Sequence, residues 1–244
     1  MLVLPSGRLL RMYKNSCTQD AGFNASVGQW MAHEAVERKI GPEGREGGII
    51  LDEMAIQEDL QMKSVNGQWK LVGLVCLEEE HNSMQKIMTG KETIEIATHV
   101  LQFVFLGNNG FCFPFAHFPT KEADPASLYT NFWKAVGWLR MFGFQTNYCC
   151  CDGGEANRSF IKMHFKEKDP VEERFTTPNP YTRKPMVFLL DPSHNIKKLR
   201  NNLEKSRSGG VRLFCFGDKT IDWRHLYQVI NGTSQAIPSS YMRG

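Results

Sequence analysis

The pattern of apolar and polar positions is sharpest at residues 47–56, GGIILDEMAI. There Ile49, Ile50 and Leu51 run from two glycines straight into Asp52 and Glu53. A continuous apolar run bounded by glycines predicts a strand buried on both faces. Upstream, residues 2–13 and 27–38 carry apolar residues at helix-like spacing, joined by the loop-like CTQDAGFNAS. Ala25, Val27, Trp30, Met31, Ala35 and Val36 fit a short amphipathic helix. GPEGREGG, residues 41–48, is a turn-rich approach to the central strand. After that strand, Asn66-Gly67 separates two strand-like runs and predicts a hairpin, since both residues tolerate positive φ. The arm before Asn66 reads as a continuation of the central strand, and 68–77 as a second strand. Residues 78–91 are polar and acidic and read as an exposed loop.

HVLQFVFL, from His99, is rich in β-formers and predicts a third strand, with a turn at 107–110 before FCFPFAHF. Residues 125–142 place Leu128, Phe132, Val136 and Leu139 at helical spacing, and Gly143 is suited to end that helix. TNYCCCDGG, residues 146–154, repeats the plan of the central stretch: a short apolar run ending in an acid, Asp152, then glycines. A helix is expected over 155–165 and a polar loop over 166–184. MVFLL, residues 186–190, then forms a fifth strand ending in Asp191, and 195–205 a basic helix. In DPSH, residues 191–194, Ser193 is the expected helix cap, beside Pro192. Antiparallel strands followed by strand–helix units imply an α/β fold, a mixed five-stranded sheet with helices on its faces.

Composition narrows this picture without redirecting it. A chain of 244 residues with 41% hydrophobic and 23% charged residues is long enough to bury a full core. No apolar run approaches the ~18 residues of a membrane helix, and the start, MLVLPSGRLLRMY, is broken by Pro5, Gly7 and Arg8 and does not read as a signal peptide. Three of the seven cysteines, Cys149, Cys150 and Cys151, are consecutive, which suits reduced thiols in a strand better than a disulfide framework. The net charge of +3 is unevenly spread. Residues 43–95 hold 11 acids against 5 Lys/Arg, whereas 153–212 hold 13 Lys/Arg against 7 acids. That division fits a phosphate-facing surface beside a metal site, and equally two solvated faces.

Two acids end two strands, Asp52 and Asp152. If those strands are neighbours, the carboxylates converge and can bind Mg²⁺ or Mn²⁺ through oxygen, the arrangement that supports phosphoryl transfer. The plainer reading is two acids that terminate strands and face water. Asp191 and His194 either join that site or belong to the helix start. Lys197, Lys198 and Arg200 either contact phosphate or form a solvated face, while His99 and His117 sit among aromatics and read as structural. No Walker loop, GxGxxG or GxSxG occurs, which sets aside the nucleotide-hydrolase and serine-hydrolase classes.

The segments LPSGRLL, GGIILDEM, NGQWKLVGLV, CDGGEANRSF and LLDPSHNIKKLRNNL, in this order, resemble the P-element-type transposases, including their THAP-domain-associated vertebrate relatives. The resemblance runs to about Leu203. It implies an RNase H-like core with a DDE-type acidic triad binding divalent metal, in which Asp52 matches the first-strand Asp and Asp152 the fourth-strand Asp. It implies metal-dependent DNA cleavage and strand transfer at transposon ends, double-stranded DNA as partner with Arg158, Lys197, Lys198 and Arg200 as candidate contacts, self-association, no membrane, and a nuclear location. The domain expectation is a helical lead-in over 1–46, the RNase H-like core over 47–205, and over 206–244 the start of a truncated GTP-binding-type insertion. GTP is a ligand of the full-length family, and its site is incomplete here. No counterpart of the family's final Glu is found; Glu204, Asp218 and Asp222 do not match its motif. The alternative expectation is a non-catalytic, transposase-derived module that binds DNA or protein.

Overall fold

The computed structural model describes residues 20–65, 68–76, 95–166, 168–170, 174–206 and 211–231. The helix expected over 2–13, the Asn66-Gly67 turn and the loop over 78–91 lie outside them. The chain divides into two compact units, 1–190 and 191–244.

The first unit is built on one mixed sheet. Its elements are β1 (Gly22–Phe23), α1 (Ala25–Glu37), α2 (Pro42–Arg45), β2 (Glu46–Ala55), β3 (Gln61–Val65), β4 (Gln68–Val72), β5 (His99–Gly107), β6 (Cys112–Thr120), α3 (Pro125–Met141), β7 (Gln145–Cys151), α4 (Glu155–Lys162), β8 (Thr176–Pro178) and β9 (Pro185–Leu190). The sheet runs β1-β6-β5-β2-β7-β9-β8. Strand β5 runs antiparallel to both of its neighbours, β6 and β2, whereas β2, β7 and β9 are parallel. Five long strands are present as the sequence implies, but their membership differs. The fifth is β6, and the two-residue β1 and three-residue β8 extend the edges.

The hairpin stands apart as its own two-stranded sheet. Its first arm, β3, is a separate strand and not a continuation of β2. The break has a local cause: Gly73, at φ +106, packs against the Asp59 carbonyl so closely that no Cβ fits. The segment expected to be a loop around Gly22 supplies β1, which pairs with β6.

One face of the sheet carries the core. Ile49 and Leu51 pair with Phe105 and Phe103 on one side and with Cys149 and Cys151 on the other, and Cys149 pairs with Phe188. All seven are buried, together with Met31 and Ala35 of α1, Leu128, Phe132 and Leu139 of α3, and Phe160 and Ile161 of α4. Aromatic rings knit the layers, as in Phe105–Phe144 at 5.0 Å and Phe132–Phe160 at 5.5 Å between centroids. Each fully buried Phe contributes about 1.5–3 kcal/mol of transfer free energy. The opposite face differs from the expected strand buried on both sides. Ile50, Val104, Leu106, Cys150 and Val187 are only half-buried, and Leu189 and Asp52 are exposed.

Two glycines set the spacing of β2. A Cβ on Gly47 would collide with the Leu106 carbonyl, and one on Gly48 with the Tyr148 ring. The Tyr148 hydroxyl donates to Leu106 O at 3.1 Å, so the ring bridges β7 and β5 across the glycine gap. A register shift between Gly47 and Gly48 marks the same place.

His164, just past α4, joins that helix region to α3. Trp133 Nε1 donates to His164 Nε2 at 3.1 Å, so the ring proton sits on Nδ1, which faces Phe160 O at 3.0 Å. Burial lowers the His164 pKa to about 4, with backbone hydrogen bonds to Phe160 and Ile161 acting the other way.

The second unit contains α5 (Pro192–Glu204), the β10 (Phe214–Phe216) and β11 (Lys219–Ile221) hairpin, and α6 (Trp223–Asn231). Helix α5 starts three residues before the expected 195, and its cap is Asp191, not Ser193: the Asp191 side chain accepts from Ser193 N at 2.9 Å. Asp222 accepts from Arg224 N at 2.9 Å and from Arg224 Nε at 3.0 Å, and lies 3.3 Å from His225 Nδ1. Arg224 holds its carboxyl below the usual range. No helix among the described residues is long and apolar enough to cross a membrane.

Two outcomes follow from this packing. Gly48→Ala is expected to lower unfolding stability by about 1–3 kcal/mol in urea titration, and Tyr148→Ala in the same chain to recover part of the loss, because the two sites are in contact. Between about pH 6.5 and pH 4 the unfolded chain takes up a proton on residue 164 that the fold resists. Stability from this site is therefore present above that window and lost as pH falls through it, by about 1–2 kcal/mol after solvent screening. The stability difference between the wild type and His164→Gln, measured from pH 7 to pH 4, should shrink by that amount.

Candidate active site

The parallel pairing of β2 with β7 decides where the two acids stand. Leu51 is paired with Cys151, so Asp52 and Asp152, each one residue further on, reach the same level on strands about 4.8 Å apart. Strand alternation sends the Asp52 side chain to the face opposite the core, with Ile50 and Cys150, while Asp152 stands just past the end of β7. Glu53 points to the other side, where Oε1 accepts from the Thr120 hydroxyl. Strand alternation therefore selects Asp52 over its neighbour.

The two carboxylates are supported differently. Asp52 lies inside β2 and is exposed, and its side chain makes no hydrogen bond or ion pair among the described residues. Asp152 is half-buried at the end of β7, and its Oδ1 accepts from Gly154 N at 2.8 Å and from Asn157 Nδ2 at 2.6 Å. A Cβ on Gly154 would stand 2.9 Å from that oxygen, so the glycine is required for the carboxylate to fold back onto the start of α4. The glycines that follow Asp152 thus shape an acid cradle, not only a turn. Arg158, expected to contact DNA, donates from Nη1 to the Gly153 carbonyl and braces the same turn.

Two residues were not singled out from sequence. Gln102 is directly opposite Asp52 in the β2–β5 ladder and is half-buried on the same face. Its signal was a lone amide inside the apolar run HVLQFVFL. Asn157, five residues after Asp152, looked like an ordinary helix position until its side chain proved to hold the carboxylate. Asp52 and Asp152 stand one residue beyond the paired Leu51 and Cys151 of adjacent strands; among the described residues, no group of three or more His, Cys, Asp or Glu is placed to hold a metal ion.

The other candidates occupy ordinary positions. In the second unit, no residue of α5 is buried, and Lys197, Lys198 and Arg200 are exposed, the Arg200 guanidinium donating to Asn201 Oδ1 at 3.0 Å. Asp191 is the cap of that helix. In the first unit, His99 Nδ1 lies 2.7 Å from the Thr98 hydroxyl, and burial lowers the pKa of His117. The six described cysteines are free thiols. Burial pushes the Cys149 thiol well above its usual range and Cys151 up to about 12, so neither supplies a thiolate nucleophile or metal ligand.

A family model described as "TNP-like, RNase H N-terminal domain" matches residues 19–164. The solved structure of the Drosophila P element transposase strand transfer complex is similar, with a TM-score of 0.59 at 16% sequence identity. That match covers 99% of this chain and 46% of the transposase chain, so the protein spans just under half the length of that relative. At this identity the likeness shows the fold, an RNase H-like mixed sheet with its helices. No curated protein sequence matches. With more than half of its residues matched, from β1 through α4, the chain belongs to the TNP-like RNase H N-terminal domain family.

Proposed function

We propose that this protein is the core of a P-element-like DNA transposase, cutting and joining DNA with a divalent cation held by Asp52 and Asp152. The reading is supported by one observation: the parallel β2–β7 register sets Asp52 and Asp152 each one residue beyond the paired Leu51 and Cys151. Its substrate in this reading is double-stranded DNA at transposon ends, and its place of action the nucleus.

The residues present fit a hard cation. Both donors are carboxylate oxygens, the chemistry that selects Mg²⁺ or Mn²⁺ over softer metals. Two protein ligands leave the remaining positions to water and substrate phosphate, as is usual for Mg²⁺. A cation bound there supplies positive charge for the phosphorus centre and lowers the pKa of an attacking hydroxyl or water. The chain's own contribution is orientation. Asn157 and Gly154 N fix Oδ1 of Asp152, while Arg158 holds the turn that carries it. Asp52 is fixed by its place in the ladder between Gln102 and β7. A non-catalytic DNA- or protein-binding module is the second reading, and it is favoured by the pair, not a triad, of acids that meet among the described residues.

Titration calorimetry with Mn²⁺ separates the two. The catalytic reading expects binding by the wild type, loss of at least tenfold in affinity in Asp52→Asn and in Asp152→Asn, and Mn²⁺-dependent nicking of duplex DNA. A wild type that neither binds Mn²⁺ nor nicks DNA would leave only the binding module. Asn157→Ala, which removes an outer support and no ligand, should weaken Mn²⁺ binding by about 10–100-fold while the far-ultraviolet circular dichroism stays that of the wild type.

A further inference from the structure

The three parallel strands β2, β7 and β9 begin side by side at the end of the sheet opposite Asp52 and Asp152. Each is entered past a basic residue. Arg45 immediately precedes β2, Arg140 lies in the last turn of α3 ahead of β7, and Lys184 immediately precedes β9. A cavity of about 420 Å³ opens there, lined by Arg140, Phe144, Gln145, Tyr181 and Lys184 among others. The Arg45 guanidinium stands nearby, over the Phe144 ring, 5.3 Å from its centroid.

The charges of this notch are only partly spent. Arg140 donates to the Tyr181 carbonyl, which fixes the guanidinium without neutralising it. Among the described residues, Lys184 Nζ has one acid in range, Glu46 Oε1 at 3.9 Å, and both side chains are more than a third exposed. An exposed pair of that length contributes little. Two lining cations, Arg140 and Lys184, with Arg45 close by, thus meet one carboxylate among the described residues in a concave site with polar side chains, the chemistry that receives a phosphate group. The site lies in the first unit, apart from the acids. The seven residues of β7 put roughly 23 Å between the notch and the level of Asp152, at ~3.3 Å per residue.

We infer that this notch binds a backbone phosphate of DNA other than the one presented to the aspartates, so that the protein grips nucleic acid at both ends of its parallel strands. This rests on the reading that the protein handles DNA. The separation corresponds to roughly 7 base pairs at 3.4 Å each. The notch therefore adds to affinity and to salt sensitivity and takes no part in the chemical step.

The test is fluorescence anisotropy with a 24-base-pair duplex, titrated between 50 and 200 mM KCl with Ca²⁺ present, on the full chain. Lys184→Gln should weaken binding several-fold at the lowest salt and reduce the slope of log K against log salt by about 1, the value of one phosphate contact. Lys184→Arg should restore both. Thermal melts of all variants should coincide within a few degrees, since the Lys184–Glu46 pair is long and exposed. Wild-type binding with an unchanged slope in Lys184→Gln would overturn the inference and leave the DNA reading standing. Failure of the wild type to bind any duplex would overturn both. Competition by polyglutamate at the same charge concentration as effectively as by unlabelled duplex would assign the notch to acidic protein, and overturn its assignment to DNA.

Discussion

The close approach of β2 to its two neighbours is the constraint on which the rest of this structure depends. Gly47 and Gly48 leave room for the Leu106 carbonyl and the Tyr148 ring, where any side chain would collide. With that room, β2 takes β5 antiparallel on one edge and β7 parallel on the other. The parallel pairing then fixes everything downstream. It stacks Ile49 and Leu51 with Cys149 and Cys151 on the core face, and it sets Asp52 and Asp152 each one residue beyond the paired Leu51 and Cys151. A slip of one residue in either strand would exchange the faces and bury the acids. The hydrophobic pattern and the acidic pair are therefore the same piece of information.

Much of this was legible in the chain. The strand-then-acid plan at IILDE and CCCDGG located both carboxylates, and the apolar spacing of Leu128, Phe132, Val136 and Leu139 located α3 with its Gly143 stop, at φ +83. What escaped was decided by tertiary contact. FCFPFAHF was read only as a segment after a turn, yet as β6 it pairs along the full length of β5 and completes the sheet. The hairpin was assigned to the main sheet because its alternation resembles a core strand, whereas Trp69 is 71% exposed. Strand propensity cannot say which sheet a strand joins. The role of Asp191 stayed open because an acid after an apolar run looks the same whether it serves a ligand or caps a helix through a backbone amide, as it does here with Ser193 N.

The two units differ in the kind of order they hold. In the first, helices α1, α3 and α4 share a single aromatic-rich core with one face of the sheet. In the second, α5 buries none of its residues, and Ile196 and Leu199 are 65% and 59% exposed. Specificity there comes from local polar contacts: the Asp191 and Asp222 caps, and Ser206, whose hydroxyl donates to Ile221 O at 2.6 Å and accepts from Phe214 N at 2.8 Å. Among the described residues, the first unit shows an extensive buried core, while the polar contacts of the second centre on Asp191, Ser206 and Asp222.

The run of three cysteines in β7 has a redox meaning. Cys149 and Cys151 point into the core and Cys150 to the opposite face, so the pleat keeps neighbouring sulfurs on opposite sides of the sheet. The two core thiols are held protonated by burial, and of the three it is the middle sulfur, on the other face, that an oxidant arriving from solvent meets. A strand that reads in sequence as the most oxidisable stretch of the chain is, once folded, protected against forming a disulfide within itself. The pleat acts there as an insulator between thiols.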